Sequence, residues 1–262
     1  MSSAASVPST APVPSALPLS APAAVPSAAP VSAAALRDGV LSVPVIDISS
    51  FRMPYADDAA RAQVVRQVDE AARTVGFMQI TGHGIPACVV EELTAAIDAC
   101  FAPDLTDVPD VGDAVTAWFH AAGAVARTMV RIFSVALGGS EGYFEHRTEH
   151  SLDLVRISNC RMPGPAASRE PDQLGTAPHT DHGVVTVLWA DRVPGLEILG
   201  VDGAWHSVLP AGRALIVNLG DALARWTNGR WVSATHRVVP ARAGGELVPR
   251  RSAAYLHDWP VA

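Results

Sequence analysis

The residues best able to do chemistry in this chain are two histidines and an aspartate. His179-Thr180-Asp181 stands where a β-rich run opens after Pro178, and His236 follows 55 residues beyond Asp181 in a second β run, Ala234-Thr-His-Arg-Val-Val239. On a strand that begins at His179, alternation puts His179 and Asp181 on one face and turns Thr180 away. Two imidazoles and one carboxylate on one side of a metal leave three adjacent coordination positions open. That arrangement suits non-haem Fe(II), which needs room for a chelating co-substrate and for O2. An isolated His-x-Asp is common and decides little alone. The three cysteines, Cys88, Cys100 and Cys160, form no Cys-x-x-Cys. This excludes a Cys-type zinc site and a disulfide framework, and fits a reducing, cytoplasmic setting.

The elements that must position these residues divide the chain in two. Pro44-Val-Ile-Asp-Ile-Ser49 alternates as a short strand. Asp57 and Asp58 then open a helix whose inner face is Val64, Val68, Ala71 and Val75, with Gly76 as its stop. Phe77–Thr81 reads as a second strand. Pro86 starts a helix with Val90, Leu93, Ile97 and Phe101 in register. After a Pro/Asp-rich loop over 102–112, a long helix carries Trp118, Ala122, Val125, Met129, Ile132 and Ala136 inward, and Gly138-Gly139 ends it. From Leu152 onward the period changes. Short runs rich in Val, Ile, Leu and Thr recur between turn residues, with one helical segment at Ala222–Trp226. The fold class expected is mainly β with a helical support layer, its core a two-sheet jelly roll of the double-stranded β-helix kind.

Residues 1–36 differ from the rest: 27 of the 36 are Ala, Pro or Ser, seven of them Pro. Proline at that density forbids a helix, and Ala and Ser bury too little to offset ordering entropy. A disordered leader over 1–36 and one domain over 41–262 are therefore expected, with 41–150 as helical support and 151–262 as the jelly roll bearing the metal site. The 262 residues carry a formal charge of −7, and all 19 basic residues are Arg. An acidic chain without a basic cluster argues against nucleic acid or an anionic membrane as partner. No run of 18 apolar residues free of Pro, Gly or charge exists, so no membrane span is expected. No signature of oligomeric state is legible.

The strings Val43–Ser49, Gly76-Phe-Met-Gln-Ile-Thr-Gly-His-Gly-Ile-Pro86, His179–Asp191, Gly195–Leu199, Ala214–Gly229, Ser233–Val239 and Arg250–His257 resemble the isopenicillin N synthase-like branch of the Fe(II)/2-oxoglutarate-dependent oxygenases, in that family's order and spacing. The resemblance implies His179, Asp181 and His236 as iron ligands, and Arg250 with Ser252 as the pair gripping the distal carboxylate of 2-oxoglutarate. A planar guanidinium fork and a hydroxyl two residues apart on one strand face agree with that role. It further implies a co-substrate side lined by Arg156, Ser158 and Cys160. Arg156 is the candidate partner for a substrate carboxylate, and Trp189 is a candidate pocket wall as well as a candidate core residue. His83 and the turn of Asn218, Gly220 and Asp221 read as structural, and the metal ligands are the only catalytic groups expected.

The implied activity is oxidation of a small molecule by hydrogen abstraction, using Fe(II), 2-oxoglutarate and O2, with hydroxylation as the default outcome. The substrate expected is amino-acid-derived or belongs to secondary metabolism. Three departures bear on this reading. Cys160 stands where the family often has Tyr, and Ser158 where it has Asn. The segment from Phe101 to Trp118 is short. The sequence stops three residues after Trp259. These features point to an open site suited to a bulky or carrier-bound substrate. They keep two alternatives in view: an Fe(II) oxidase of the same fold that does without 2-oxoglutarate, and a non-catalytic binding scaffold.

Overall fold

A computed structural model describes residues 31, 35–37, 40–102, 109–144, 151–159, 175–244 and 246–258. The strand expected at Pro44–Ser49 is β3 (Val45–Asp47), after a small hairpin of β1 (Leu36–Arg37) and β2 (Val40–Leu41). Helix α1 (Asp58–Thr74) starts where Asp57 accepts a hydrogen bond from the Ala59 backbone N–H, satisfying one of the donors a helix N-terminus leaves open. Its buried face is Val64, Val68, Ala71 and Ala72. It ends at Gly76, whose φ of +71° is left-handed. Strand β4 (Phe77–Thr81), helix α2 (Ala87–Cys100) and helix α3 (Gly112–Ala136) complete the first half. Phe101, expected on the inner face of α2, is instead 38% exposed, because the helix ends at Cys100 and the chain turns outward there.

The second half supplies β5 (Leu154–Asn159), β6 (Thr176–His179), β7 (Val185–Ala190), β8 (Leu196–Leu199), β9 (Trp205–Ser207), β10 (Leu215–Leu219), α4 (Asp221–Trp226), β11 (His236–Val238) and β14 (Arg251–His257). A hairpin of β12 (Arg242–Ala243) and β13 (Glu246–Leu247), with no counterpart in the sequence reading, precedes β14. Two sheets face each other: one of order β3-β4-β10-β7-β14-β5, the other β6-β11-β8-β9. All pairings in them are antiparallel except β3 with β4. The larger sheet takes strands from both halves, so the helical part and the jelly roll share a hydrogen-bonded layer.

The period-2 alternation of the larger sheet separates two environments. On β7, β10 and β14, the residues Val185, Val187, Leu215, Val217, Leu219, Ala253 and Tyr255 pack against Val68, Trp118, Met129 and Phe133 of the helices. Each large side chain fully buried there contributes roughly 1.5–3 kcal/mol. The opposite face turns Phe77 and Ile216 toward Leu196 and Ile198 of the smaller sheet. The functional side chains belong to this inter-sheet face. Packing also begins earlier than the expected boundary at residue 41. Val31 is fully buried and bridges Gly200, and Ala35 is buried in the same cluster; the rest of 1–34 lies outside the described residues.

Gly76 illustrates how tightly the two halves are joined. A Cβ there would stand 2.2 Å from the Val232 carbonyl oxygen, and the Val232 N–H donates to Ala72 at the end of α1. Gly229 has a similar φ of +74°, but a Cβ there would meet nothing within 4 Å. Gly229→Ala should therefore cost ~1–2 kcal/mol from backbone conformation alone. Gly76→Ala should cost at least ~1 kcal/mol more, because the backbone must also shift. Chemical denaturation of the two variants checks the difference.

Candidate metal centre

Strands β6 and β11 are neighbours, and their register pairs His179 directly with His236. Cross-strand partners on one face are in contact, and the two imidazole centroids lie 4.2 Å apart. Each ring is oriented by its own backbone. His179 Nδ1 lies 2.8 Å from the Ala177 carbonyl, and His236 Nδ1 lies 3.1 Å from the Ala234 carbonyl. A hydrogen bond at Nδ1 places the proton there and leaves Nε2 as the donor atom. Both Nε2 atoms face Asp181 Oδ1, at 3.6 Å from His179 and 3.9 Å from His236.

Asp181 reaches this position by a route different from the one expected. Strand β6 does not begin at His179; it ends there, and Thr180 and Asp181 lie in the connection to β7. Alternation therefore does not align His179 with Asp181. The connection is fastened instead by the start of α4: the Asp221 N–H donates to the Asp181 carbonyl at 2.7 Å, and Thr180 Oγ1 donates to Asp221 Oδ2 at 3.1 Å. Gly220 permits this approach, since a Cβ there would lie 2.1 Å from the Gly183 carbonyl oxygen. His182 is turned out of the cluster, its side chain 91% exposed.

The second oxygen of Asp181 is occupied by protein. Oδ2 accepts from Thr186 Oγ1 and, at 2.7 Å, from Asn218 Nδ2. Both residues escaped the site reading of the sequence, Asn218 having been read as part of a structural turn. The available signal was a polar residue in the wholly buried strand Leu-Ile-Val-Asn-Leu, since a buried amide must find partners. The resulting donor set is two Nε2 atoms and one carboxylate oxygen, all within 4.8 Å of one another. Burial holds the His236 pKa below its ordinary value, against the raising influence of Asp181. A neutral imidazole at neutral pH is the form that can ligate. Two nitrogens and one hard oxygen, with their second atoms already hydrogen-bonded, fit a divalent first-row metal.

A cleft with about 630 Å³ of empty space, part of it open to solvent, extends from this cluster between the sheets. Arg156, Ser158, Arg250 and Ser252 line it together with Thr186 and Asn218, the two partners of Asp181. Arg250 is 3% exposed and Ser252 is 8% exposed. Ser252 stands across from Ser158, and Ala254 across from Arg156. Trp189 does not line the cleft. It alternates with Thr186 and Leu188 on β7, and therefore packs on the helical side of the sheet. Cys160, the centre of the 102–112 loop and residues 259–262 lie outside the described residues. His83 is remote from the cleft: Nε2 meets the Arg213 carbonyl at 3.1 Å and Nδ1 accepts from the Ile85 N–H. That is a turn-fixing role, and burial lowers its pKa.

Fold and cluster together define a jelly-roll protein with a candidate metal-binding triad between its sheets, and comparison with known proteins gives the class a name. Residues 152–258 match the 2OG-Fe(II) oxygenase superfamily, and residues 43–107 match the N-terminal region described as non-haem dioxygenase in morphine synthesis. The chain belongs to the 2OG-Fe(II) oxygenase superfamily, and is a dioxygenase that uses Fe(II), 2-oxoglutarate and O2. It is 26% identical to a 2-oxoglutarate-Fe(II) type oxidoreductase of Emericella nidulans, over 75% of this chain and 74% of that protein. It is 25% identical to validamycin A dioxygenase of Streptomyces hygroscopicus subsp. limoneus, over 83% of this chain and 77% of that one. A full-length Neurospora crassa protein crystallised with alpha-KG and thymine shares the fold. Its TM-score is 0.72 at 20% identity, covering 87% of this chain and 89% of that chain.

A metal held by His179, Asp181 and His236 should depend on the two groups that fix Asp181. Asn218→Ala and Thr186→Val should each weaken it by roughly 10–100-fold, read by anaerobic metal titration, while the melting curve of the metal-free protein changes little. Undiminished affinity in the double variant would contradict this division of the carboxylate.

Proposed function

We propose that His179, Asp181 and His236 ligate Fe(II), and that Arg250 and Ser252 bind the distal carboxylate of 2-oxoglutarate, for hydroxylation of a small organic molecule. The observation that carries the reading is the convergence of two Nε2 atoms and Asp181 Oδ1 within 4.8 Å at one end of the cleft that Arg250 and Ser252 also line. When bound, the iron supplies activation of O2 at the expense of 2-oxoglutarate, and with it the ability to break an unactivated C–H bond. The chain's own residues do the rest. Ala177 and Ala234 carbonyls hold the imidazoles in the ligating orientation. Thr186 and Asn218 take up Oδ2 so that the carboxylate presents one oxygen. Arg250, buried at the inner part of the cleft, offers a fork matched to a carboxylate, and the Ser252 hydroxyl adds a donor from the same strand face. Leu188, Leu196, Val238 and Leu256 provide apolar walls that limit water around the reacting carbon.

The names of the relatives support a small organic substrate, validamycin A being one such compound. The described helices include none long and apolar enough to cross a membrane. Free thiols at Cys88 and Cys100 support the cytoplasmic setting we propose for the chain.

Anaerobic addition of 2-oxoglutarate to the Fe(II)-loaded protein should produce a saturable visible charge-transfer band. His236→Ala should lose the band with the metal. Arg250→Ala should keep metal affinity and raise the Kd of 2-oxoglutarate by about tenfold or more. Bound Fe(II) with no band at saturating 2-oxoglutarate would contradict the assignment of the co-substrate site.

A further inference from the structure

We propose that the connection between β7 and β8 positions the co-substrate arginine: Asp191 fixes the backbone from which Arg250 projects, and Gly195 leaves the bed on which its side chain lies. This deepens the reading above and rests on its assignment of Arg250 to the distal carboxylate. Arg250 stands just before β14, outside the regular ladder. A long side chain launched from such a place has rotamers to lose on binding, and it grips a carboxylate well only if it is already held in position.

Asp191 supplies the first restraint. It follows β7 directly, and its N–H donates to the Arg251 carbonyl at 3.1 Å. In return the Arg251 N–H donates to Asp191 Oδ2 at 2.9 Å. The β7–β14 pairing is thereby carried past Ala190–Ser252 to the residue next to Arg250. Arg251 Nε donates to the same oxygen at 3.3 Å, while the outer end of that guanidinium reaches Asp98 of α2. Asp191 Oδ1 accepts from the Val193 N–H at 3.3 Å and so shapes the turn itself. One carboxylate ties the turn to the start of β14. Gly195, which is buried, supplies the second restraint. Its carbonyl accepts from the Val239 N–H at 2.8 Å, extending the pairing of β8 with β11. Its φ is +149°, and a Cβ there would stand 3.0 Å from Arg250 Cδ and 2.7 Å from the Val239 carbonyl oxygen. The stem of Arg250 therefore runs against bare backbone of the smaller sheet, although Arg250 leads into the larger one. Neither Asp191 nor Gly195 lines the cleft, so both are positioning residues that act through Arg250.

The test uses anaerobic protein loaded with Fe(II). It is titrated calorimetrically with 2-oxoglutarate and with oxalate, which can chelate a metal but carries no further carboxylate for Arg250. Asp191→Ala and Gly195→Ala should each raise the Kd of 2-oxoglutarate by about tenfold, while those of Fe(II) and oxalate stay within about twofold. Asp191→Asn keeps the shape with a single acceptor oxygen and should lose about three- to fivefold. Asp98→Ala removes only the outer contact of Arg251 and should leave 2-oxoglutarate binding unchanged. In an Arg250→Ala background, Asp191→Ala and Gly195→Ala should cost no more than about a further twofold. An unchanged 2-oxoglutarate affinity in both alanine variants overturns the proposal. So does a loss shared equally by oxalate, or one that adds in full to that of Arg250→Ala. If the alanine variants do not fold, Asp191→Asn decides: wild-type affinity for 2-oxoglutarate overturns the proposal. Wild-type protein that binds Fe(II) and oxalate but not 2-oxoglutarate, or an Arg250→Ala variant that binds it normally, overturns the underlying reading instead, and either is seen before any positioning variant is made.

Discussion

The structure depends on how one carboxylate is shared. Asp181 gives Oδ2 to Thr186 and Asn218 and turns Oδ1 toward the Nε2 atoms of His179 and His236. Three lone-pair donors held this close repel one another unless a cation lies among them, so the cluster is built for a positive charge. Each element around it then has a definite task. Strands β6 and β11 bring the imidazoles side by side by register. Strands β7 and β10 project Thr186 and Asn218, themselves a cross-strand pair. The start of α4 fastens the loop that carries Asp181.

The two faces of the larger sheet make this arrangement affordable in structural terms. The helices cover one face with a continuous apolar layer, so the strands remain fixed even though the other face exposes polar groups to a cleft. Arg250 and Ser252 illustrate the division. Ser252 belongs to the cleft face of β14, whereas Ala253 and Tyr255 on the same strand are buried toward the helices. A site on strands whose reverse side is packed is more rigid than one on loops, which favours precise placement of a co-substrate.

Much of this was legible in the sequence. The periodicities of 58–74 and 112–136 locate α1 and α3 because their apolar residues recur at helical spacing. The turn-bounded Val/Ile/Leu runs locate the jelly-roll strands. The triad was legible as residue types and spacing, but the reason His179 and Asp181 face one another was not. Strand alternation suggested it, whereas the observed cause is a loop tied to Asp221, a tertiary contact 40 residues away in sequence. The same limit hid Thr186 and Asn218, whose roles exist only once β7 and β10 pair. Trp189 was ambiguous because an aromatic in a buried strand suits either face, and only the register of β7 places it among the helices. Val31 and Ala35 were hidden by composition: a Pro/Ala/Ser-rich stretch gives no periodic signal, yet single apolar residues in it can fill a gap between sheets.

The central claim is that one metal is held by both imidazoles. Pulsed electron paramagnetic resonance of the Cu(II)-substituted protein counts coordinated imidazoles through the remote ring nitrogen. The account predicts two coupled imidazoles in the wild type and one in each of His179→Ala and His236→Ala, where Cu(II), which binds such sites more tightly than Fe(II), is kept by the two remaining ligands. A count unchanged by either substitution, or no imidazole coupling in the wild type, would contradict it.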